Sequence, residues 1–147
     1  MHPMLNIAVR ASRAAGKVIS RAFDQHDKVE VELKGTNDVV TNVDVAAEEV
    51  IIETIRKSYP KHTIISEEGG VLKGEDDDYQ WIIDPLDGTT NFVKGIPHFA
   101  VSIALRVKGK LDQAVVFDPI RGDLFTASRG KGATLNGFRI RVKQPKE

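Results

Sequence analysis

Asp84 and Asp87 are two carboxylates three residues apart, placed between an apolar run, Trp81-Ile82-Ile83, and the turn-forming Gly88-Thr89-Thr90. From average residue usage, Asp-Pro-aliphatic-Asp-Gly-(Ser/Thr) arises by chance on the order of once per million start positions. Pro85 lacks a ladder donor and biases Asp84 to extended geometry, which predicts a strand that stops at Asp84. An odd spacing sends the two aspartates to opposite faces of a regular strand, so the break at Pro85 is what would let them converge. Glu67 and Glu68 follow another short apolar stretch, residues 63–66, and would neighbour the first if the two strands pair. Clustered carboxylates raise one another's pKa unless a cation sits between them. With no cysteine in the chain and no histidine beside the motif, oxygen ligands favour Mg²⁺, Mn²⁺ or Ca²⁺ over Zn²⁺.

Gly88 allows a ligand to approach closely, and the N–H groups of Gly88, Thr89 and Thr90 could open a short helix that favours an anion. A metal cluster beside an anion cradle suits metal-assisted phosphoryl transfer to water. Thr89 would orient that water if an acceptor such as Asp44 holds its hydroxyl. A plainer reading stands beside each of these. Asp84 and Asp87 also fit a turn built on Asp-Pro and Asp-Gly chemistry, Glu67-Glu68 a solvated strand end, and Asp44 a carboxylate complementing a helix dipole.

The elements that must position these residues read as two helices followed by strands. Residues 4–23 carry Met4, Ile7, Ala11, Ala14/Ala15, Val18 and Ala22 at helical spacing behind Pro3, and the alanines predict close packing. Residues 29–33 alternate as a half-buried strand, and residues 34–38 form a turn-rich loop. A second helix should start near Thr41 or Asn42, with Asp44 in its first turn, and stop at Pro60. Strands follow at residues 63–66 and 80–84. From Phe99 a meander runs through residues 99–107, 113–117 and 124–127, and Asn136-Gly137 marks a hairpin. Glu75-Asp76-Asp77-Asp78 lacks the Gly and distal Glu of an EF-hand loop and reads as a solvated loop. His98 precedes a buried strand, His26 and His62 sit in polar turns, and Trp81 reads as core. The sum is an α+β fold, two N-terminal helices packed on a largely antiparallel sheet.

The 147 residues suit one domain with a real core. Twenty-one basic and 21 acidic side chains give zero net charge, which argues against nucleic acid or an anionic membrane as the main partner. No apolar run reaches membrane-spanning length, and Met1-His2-Pro3-Met4 opens no signal peptide, so a soluble cytoplasmic domain is expected.

Trp81 to Phe92 resembles the signature of the inositol monophosphatase family of Mg²⁺-dependent, Li⁺-sensitive phosphatases. Three further stretches fit in order and spacing: Lys34 to Asp44, Ile65-Ser66-Glu67-Glu68, and Gly132 to Gly137. The likeness spans essentially the whole chain and is closest to bacterial members. It implies the amino-terminal part of the αβαβα sandwich shared with fructose-1,6-bisphosphatase. It also implies roles by position. Glu67, Asp84 and the Leu86 carbonyl would bind a first Mg²⁺, Asp84 and Asp87 a second, and Glu67 would face a third. Thr89, backed by Asp44, would activate water; Asp87 would contact substrate, and the Gly88 and Thr89 amides would hold phosphate. Lys34 matches a position on a loop near the site, although a solvated loop lysine is the commoner use. Glu68 is a bystander.

Family members are about twice as long. Their second half carries a Trp-Asp motif whose Asp completes the second metal site, and residues that contact the inositol ring. Residues 139–147 replace none of these. The expectation is therefore that residues 1–147 are the metal- and phosphate-binding amino-terminal domain, with the C-terminal half absent and little activity alone. The resemblance implies a small phosphomonoester substrate, such as inositol 1-phosphate, and a homodimer in intact members. A second reading is a non-catalytic binding module, because bacterial relatives are linked to RNA-polymerase and Nus-factor assemblies.

Overall fold

A computed structural model describes residues 1–25, 31–33, 39–67 and 69–143. The first helix, α1 (Pro3–Asp24), starts with Pro3 in its first turn, and the His2 imidazole accepts a hydrogen bond from the Met4 N–H at 3.1 Å. Its small residues give the predicted close packing: Ala11, Ala15 and Ile19 are fully buried. The second helix, α2 (Asn42–Ser58), is capped by Thr41, carries Asp44 in its first turn, and ends ahead of Pro60 as expected. The two helices pack against each other.

Between them, β1 (Val31–Leu33) and β2 (Val39–Thr41) form an antiparallel ribbon. The other eight strands form one sheet in the order β10-β9-β8-β7-β6-β5-β3-β4. In chain order these are β3 (His62–Ser66), β4 (Gly70–Leu72), β5 (Asp76–Asp87), β6 (Ala100–Val107), β7 (Lys110–Asp118), β8 (Asp123–Ser128), β9 (Gly132–Leu135) and β10 (Phe138–Ile140). The short α3 (Thr89–Val93) lies between β5 and β6. The sheet is antiparallel except where β3 runs parallel to β5. Asn136 and Gly137 adopt φ of 51° and 85° and join β9 to β10 in a two-residue turn, as their sequence predicts.

Both helices lie on one face, α1 over β6 and β7 and α2 over β5. Val101, Ile103, Leu105 and Val115 are buried on that side together with Trp81 and Ile83. Burying such side chains contributes roughly 1.5–3 kcal/mol each, so this interface dominates the stability of the domain. On the other face Val116 and Phe125 pair across β7 and β8 and remain 41% and 37% exposed. No described helix is long and apolar enough to cross a membrane.

Four expectations need correction. The motif strand does not stop at Asp84; β5 runs on through Pro85 to Asp87. Residues 76–78 are not a solvated loop but the start of β5, and Asp77 accepts a hydrogen bond from the Thr63 hydroxyl at 2.9 Å. That bond is the main reason the Asp77 carboxyl lies below the usual range. His62 is not in a polar turn; it opens β3, buried between the rings of Tyr59 and Tyr79, and accepts a bond from Trp81 Nε1 at 3.0 Å. Strands β2 and β4 were not expected, because three residues are too few to show a period. His26 and the loop at residues 34–38 lie outside the described residues.

Candidate active site

The parallel pairing of β3 and β5 sets Ser66 opposite Ile83, so Glu67 leaves β3 next to Asp84. The Glu67 N–H donates to the Ile83 carbonyl at 3.3 Å and fixes that exit. On the other side of β5, Asp84 pairs with Ser102 and Asp87 with Ala100. Pro85 and Leu86 therefore oppose Val101 alone, a β-bulge. Because Ser102 and Ala100 are two apart on β6, the extra residue brings both aspartates to the same face of the sheet. Pro85 falls where the ladder is already interrupted, so its missing N–H leaves no partner unpaired.

The cluster is short of positive charge. Asp84 is pushed up from 3.8 to about 7, first by burial, then by a hydrogen bond with Glu67 and repulsion from Glu67 and Asp87. The Leu86 N–H opposes this by donating to the Asp84 carboxylate. A carboxyl–carboxyl bond needs a proton on one partner, and a cation can take the place of that proton. Among the described residues no three acidic or imidazole side chains are closed round one point. Glu67 and Asp87 instead meet through Asp84. An oxygen-only set at a strand end fits a hard divalent cation that keeps much of its water shell. Glu67, Asp84, Asp87 and the Leu86 carbonyl are the groups that could hold it.

Asp44 reaches this site from α2. Its Oδ1 accepts from the Thr41 N–H at 2.9 Å and from the Thr41 hydroxyl, while the Asp44 N–H donates to Thr41 Oγ1 at 3.2 Å. The capping box fixes the carboxylate in place, 1% exposed, and leaves Oδ2 pointing onward. Thr89 donates its hydroxyl to that Oδ2 at 3.0 Å, with the Leu86 carbonyl an alternative acceptor at 3.0 Å. One hydroxyl proton faces two acceptors, and the oxygen lone pairs of Thr89 remain available to accept from a third group. The sequence contained the cap but hid the anchor: Thr41-x-x-Asp44 is a box, and Thr41 was not singled out as a site residue.

Gly88 caps α3 with φ 99°, and Phe92 N–H donates to the Gly88 carbonyl at 3.0 Å. A Cβ on Gly88 would lie 3.0 Å from the His98 carbonyl and 3.1 Å from Phe99 Cβ. The Asn91 amide clasps that same carbonyl at 2.9 Å, holding the returning chain against the turn. Sequence reading missed this clasp, since no local pattern links Asn91 to a carbonyl seven residues on. A cavity of about 410 Å³ opens beside Asp87 and Gly88, lined also by Asn91, His98 and Asp118. His98 precedes β6 as expected and is exposed. Lys34 and Glu68 lie outside the described residues. The structure thus gathers Asp44, Glu67, Asp84, Leu86, Asp87, Gly88 and Thr89 at one end of the sheet.

Helices layered over a largely antiparallel sheet, with acidic residues at the end of a bulged strand, define a known architecture. The model described as "Inositol monophosphatase family" matches residues 1–147, and the chain belongs to this family. It is 67% identical over 141 residues to the Nus factor SuhB of Escherichia coli, covering 96% of this chain and 53% of that protein. Extragenic suppressor protein suhB from Bartonella henselae superimposes with a TM-score of 0.94 at 43% identity, over 97% of this chain and 55% of that one. An IMPase of Thermotoga maritima gives 0.87 at 38% identity, over 96% of this chain and 54% of its own. The chain therefore spans about half the length of the relatives it matches.

Proposed function

We propose that residues 1–147 are the metal- and phosphate-binding amino-terminal domain of a Mg²⁺-dependent phosphomonoesterase acting on inositol 1-phosphate or a related polyol phosphate in the cytoplasm. The observation that carries this reading is the Asp44–Thr89 hydrogen bond, which joins the second helix to the start of α3, next to the bulged strand end that bears Asp84 and Asp87. Mg²⁺ held by Glu67, Asp84, Asp87 and the Leu86 carbonyl would supply Lewis acidity toward phosphate and favour hydroxide over water.

The chain's own groups do the rest. Asp44, locked by Thr41, accepts the Thr89 proton through Oδ2, which turns a Thr89 lone pair toward an incoming water. As water attacks phosphorus, its proton passes to Thr89 Oγ1 and the Thr89 proton to Asp44, the ester P–O bond breaks, and the polyol oxygen leaves as the alcohol after taking a proton from solvent water. Gly88 leaves the backbone N–H groups of the α3 start uncovered by a side chain, suited to the phosphate oxygens. Lys34 would add a contact from its loop. Residues reading the polyol and completing the metal set belong, in this proposal, to a second half, and intact molecules pair as homodimers.

The test is Mg²⁺-dependent phosphate release from inositol 1-phosphate by the intact protein. Activity inhibited by Li⁺ and abolished by Thr89→Ala supports the reading; turnover unaffected by Thr89→Ala overturns it. A second reading, a non-catalytic module of a Nus-factor transcription assembly, is favoured by the identity to SuhB. It predicts that an intact, catalytically silent variant still joins the assembly.

A further inference from the structure

Along α1, Arg13, Lys17 and Arg21, none of them a member of the carboxylate cluster, follow one another at helical spacing. They line a groove of about 350 Å³ with Gly16, Ser20, Phe117 and Pro119. The apolar wall of the groove exists because residue 16 has no side chain. A Cβ there would lie 2.5 Å from Phe117 Cε2 and 3.3 Å from Pro119 Cβ. Ser20 Oγ fixes the far wall by donating to the Pro119 carbonyl at 3.2 Å. The Arg13 guanidinium stands 5.4 Å from the centre of the Phe117 ring.

Among the described residues, none of these three cations has a carboxylate partner. Asp118, the acid nearest Pro119 in sequence, is turned into its own loop, where Oδ1 accepts from the Ile120 and Arg121 N–H groups at 3.0 Å each. Asp24, one turn beyond Arg21, makes no ion pair with the row among the described residues. Among the described residues the row therefore has no ion-pair partner along one wall of the groove, while Pro119 forms the accessible apolar part of the other, in a chain of zero net charge.

We propose that this groove docks an extended acidic segment of a partner protein, with alternate acids on the α1 cations and an intervening apolar side chain on Pro119, the exposed part of the wall that Phe117 backs. The spacings agree. Residues four apart on a helix rise about 6 Å, and alternate residues of an extended chain are about 6.6 Å apart. A Glu-x-Glu-x-Glu segment therefore matches Arg13, Lys17 and Arg21 in register while presenting x to the opposite wall. Single-stranded nucleic acid fits less well. Its bases need open aromatic faces for stacking, and the Phe117 ring is buried and covered by Arg13. This surface is independent of the proposed phosphatase chemistry.

The test is fluorescence anisotropy of a fluorescein-labelled Glu-Leu-Glu-Leu-Glu peptide titrated with the intact protein. Saturable binding is expected, weakened at least about tenfold by R13E/K17E/R21E, weakened by added salt, and weakened when Leu is replaced by Asn in the peptide. The triple variant should keep the wild-type urea midpoint and the wild-type phosphate release, which separates loss of docking from loss of fold or site. Any of three results overturns the proposal: no saturable binding, binding unchanged in the triple variant, or tighter binding of oligouridylate than of the peptide. A self-association that disappears in the triple variant would assign the groove to a second copy and likewise overturn it.

Discussion

Removing the Asp84 charge should stabilise the metal-free protein at alkaline pH, although it removes the central ligand of the proposed metal set. In the folded chain Asp84 is raised from 3.8 to about 7. The folded value exceeds the unfolded one, so its favourable contribution is complete below the ordinary aspartate range and is lost as pH rises through about 7. A shift of this size corresponds to about 4 kcal/mol at pH 8. Asp84 is only partly buried, and solvent screening reduces the expected figure to about 1–2 kcal/mol. Asp84→Asn keeps the shape and cannot ionise. Urea unfolding in EDTA, followed by the fluorescence of Trp81, reads the difference, because Trp81 is the chain's one tryptophan and is fully buried. At pH 8 the variant should be more stable than wild type by about 1–2 kcal/mol, and near pH 4 the two should agree. Adding Mg²⁺ should reverse the order by stabilising wild type alone. A variant less stable than wild type at pH 8 without metal, or a difference independent of pH, would refute the electrostatic reading of the cluster.

Asp44→Asn should lower phosphate release by about 10²–10⁴-fold in the intact protein while leaving urea stability closer to wild type than Thr41→Ala, which loses the cap. Gly88→Ala should destabilise by about 1–3 kcal/mol, since φ is 99° and the new methyl meets the His98 carbonyl at 3.0 Å; thermal unfolding reads this. His62 is lowered chiefly by burial, so its contribution is present above the ordinary histidine range and is lost as pH falls below it; His62→Gln should flatten that acid-side loss in urea titrations at different pH. The exposed Val116 and Phe125 face should make the isolated 147-residue chain self-associate, and light scattering showing a clean monomer would contradict that.

Much of the site was legible because its signals are local. Thr41 as a cap, Asp44 in the first turn, Gly88 before a short helix, and the Asn136-Gly137 turn all follow from backbone rules that act within a few residues. The pairing that brings Glu67 to Asp84 was foreseen only as a condition, since the sequence does not reveal which strands become neighbours. Pro85 misled because the rule that proline ends a strand assumes an unbroken ladder. Here the bulge opposite Val101 absorbs the missing donor. His62 misled because its polar flank, Lys61, is local, whereas two of the rings that bury it, Tyr79 and Trp81, come from the neighbouring strand β5 and join Tyr59 at the end of α2. The cationic groove was invisible for a different reason: an overall charge of zero averages away a row of three cations on one helix.

Direct binding of Mn²⁺, a spectroscopically visible surrogate for Mg²⁺, tests the carboxylate cluster without reference to substrate or to a second half of the site. Electron paramagnetic resonance should show saturable loss of the free Mn²⁺ signal with wild-type protein, competition by Mg²⁺, and at least about tenfold weaker binding for Asp84→Asn than for Asp77→Asn. Equal Mn²⁺ binding by wild type and Asp84→Asn would contradict the assignment of Glu67, Asp84 and Asp87 as the metal centre.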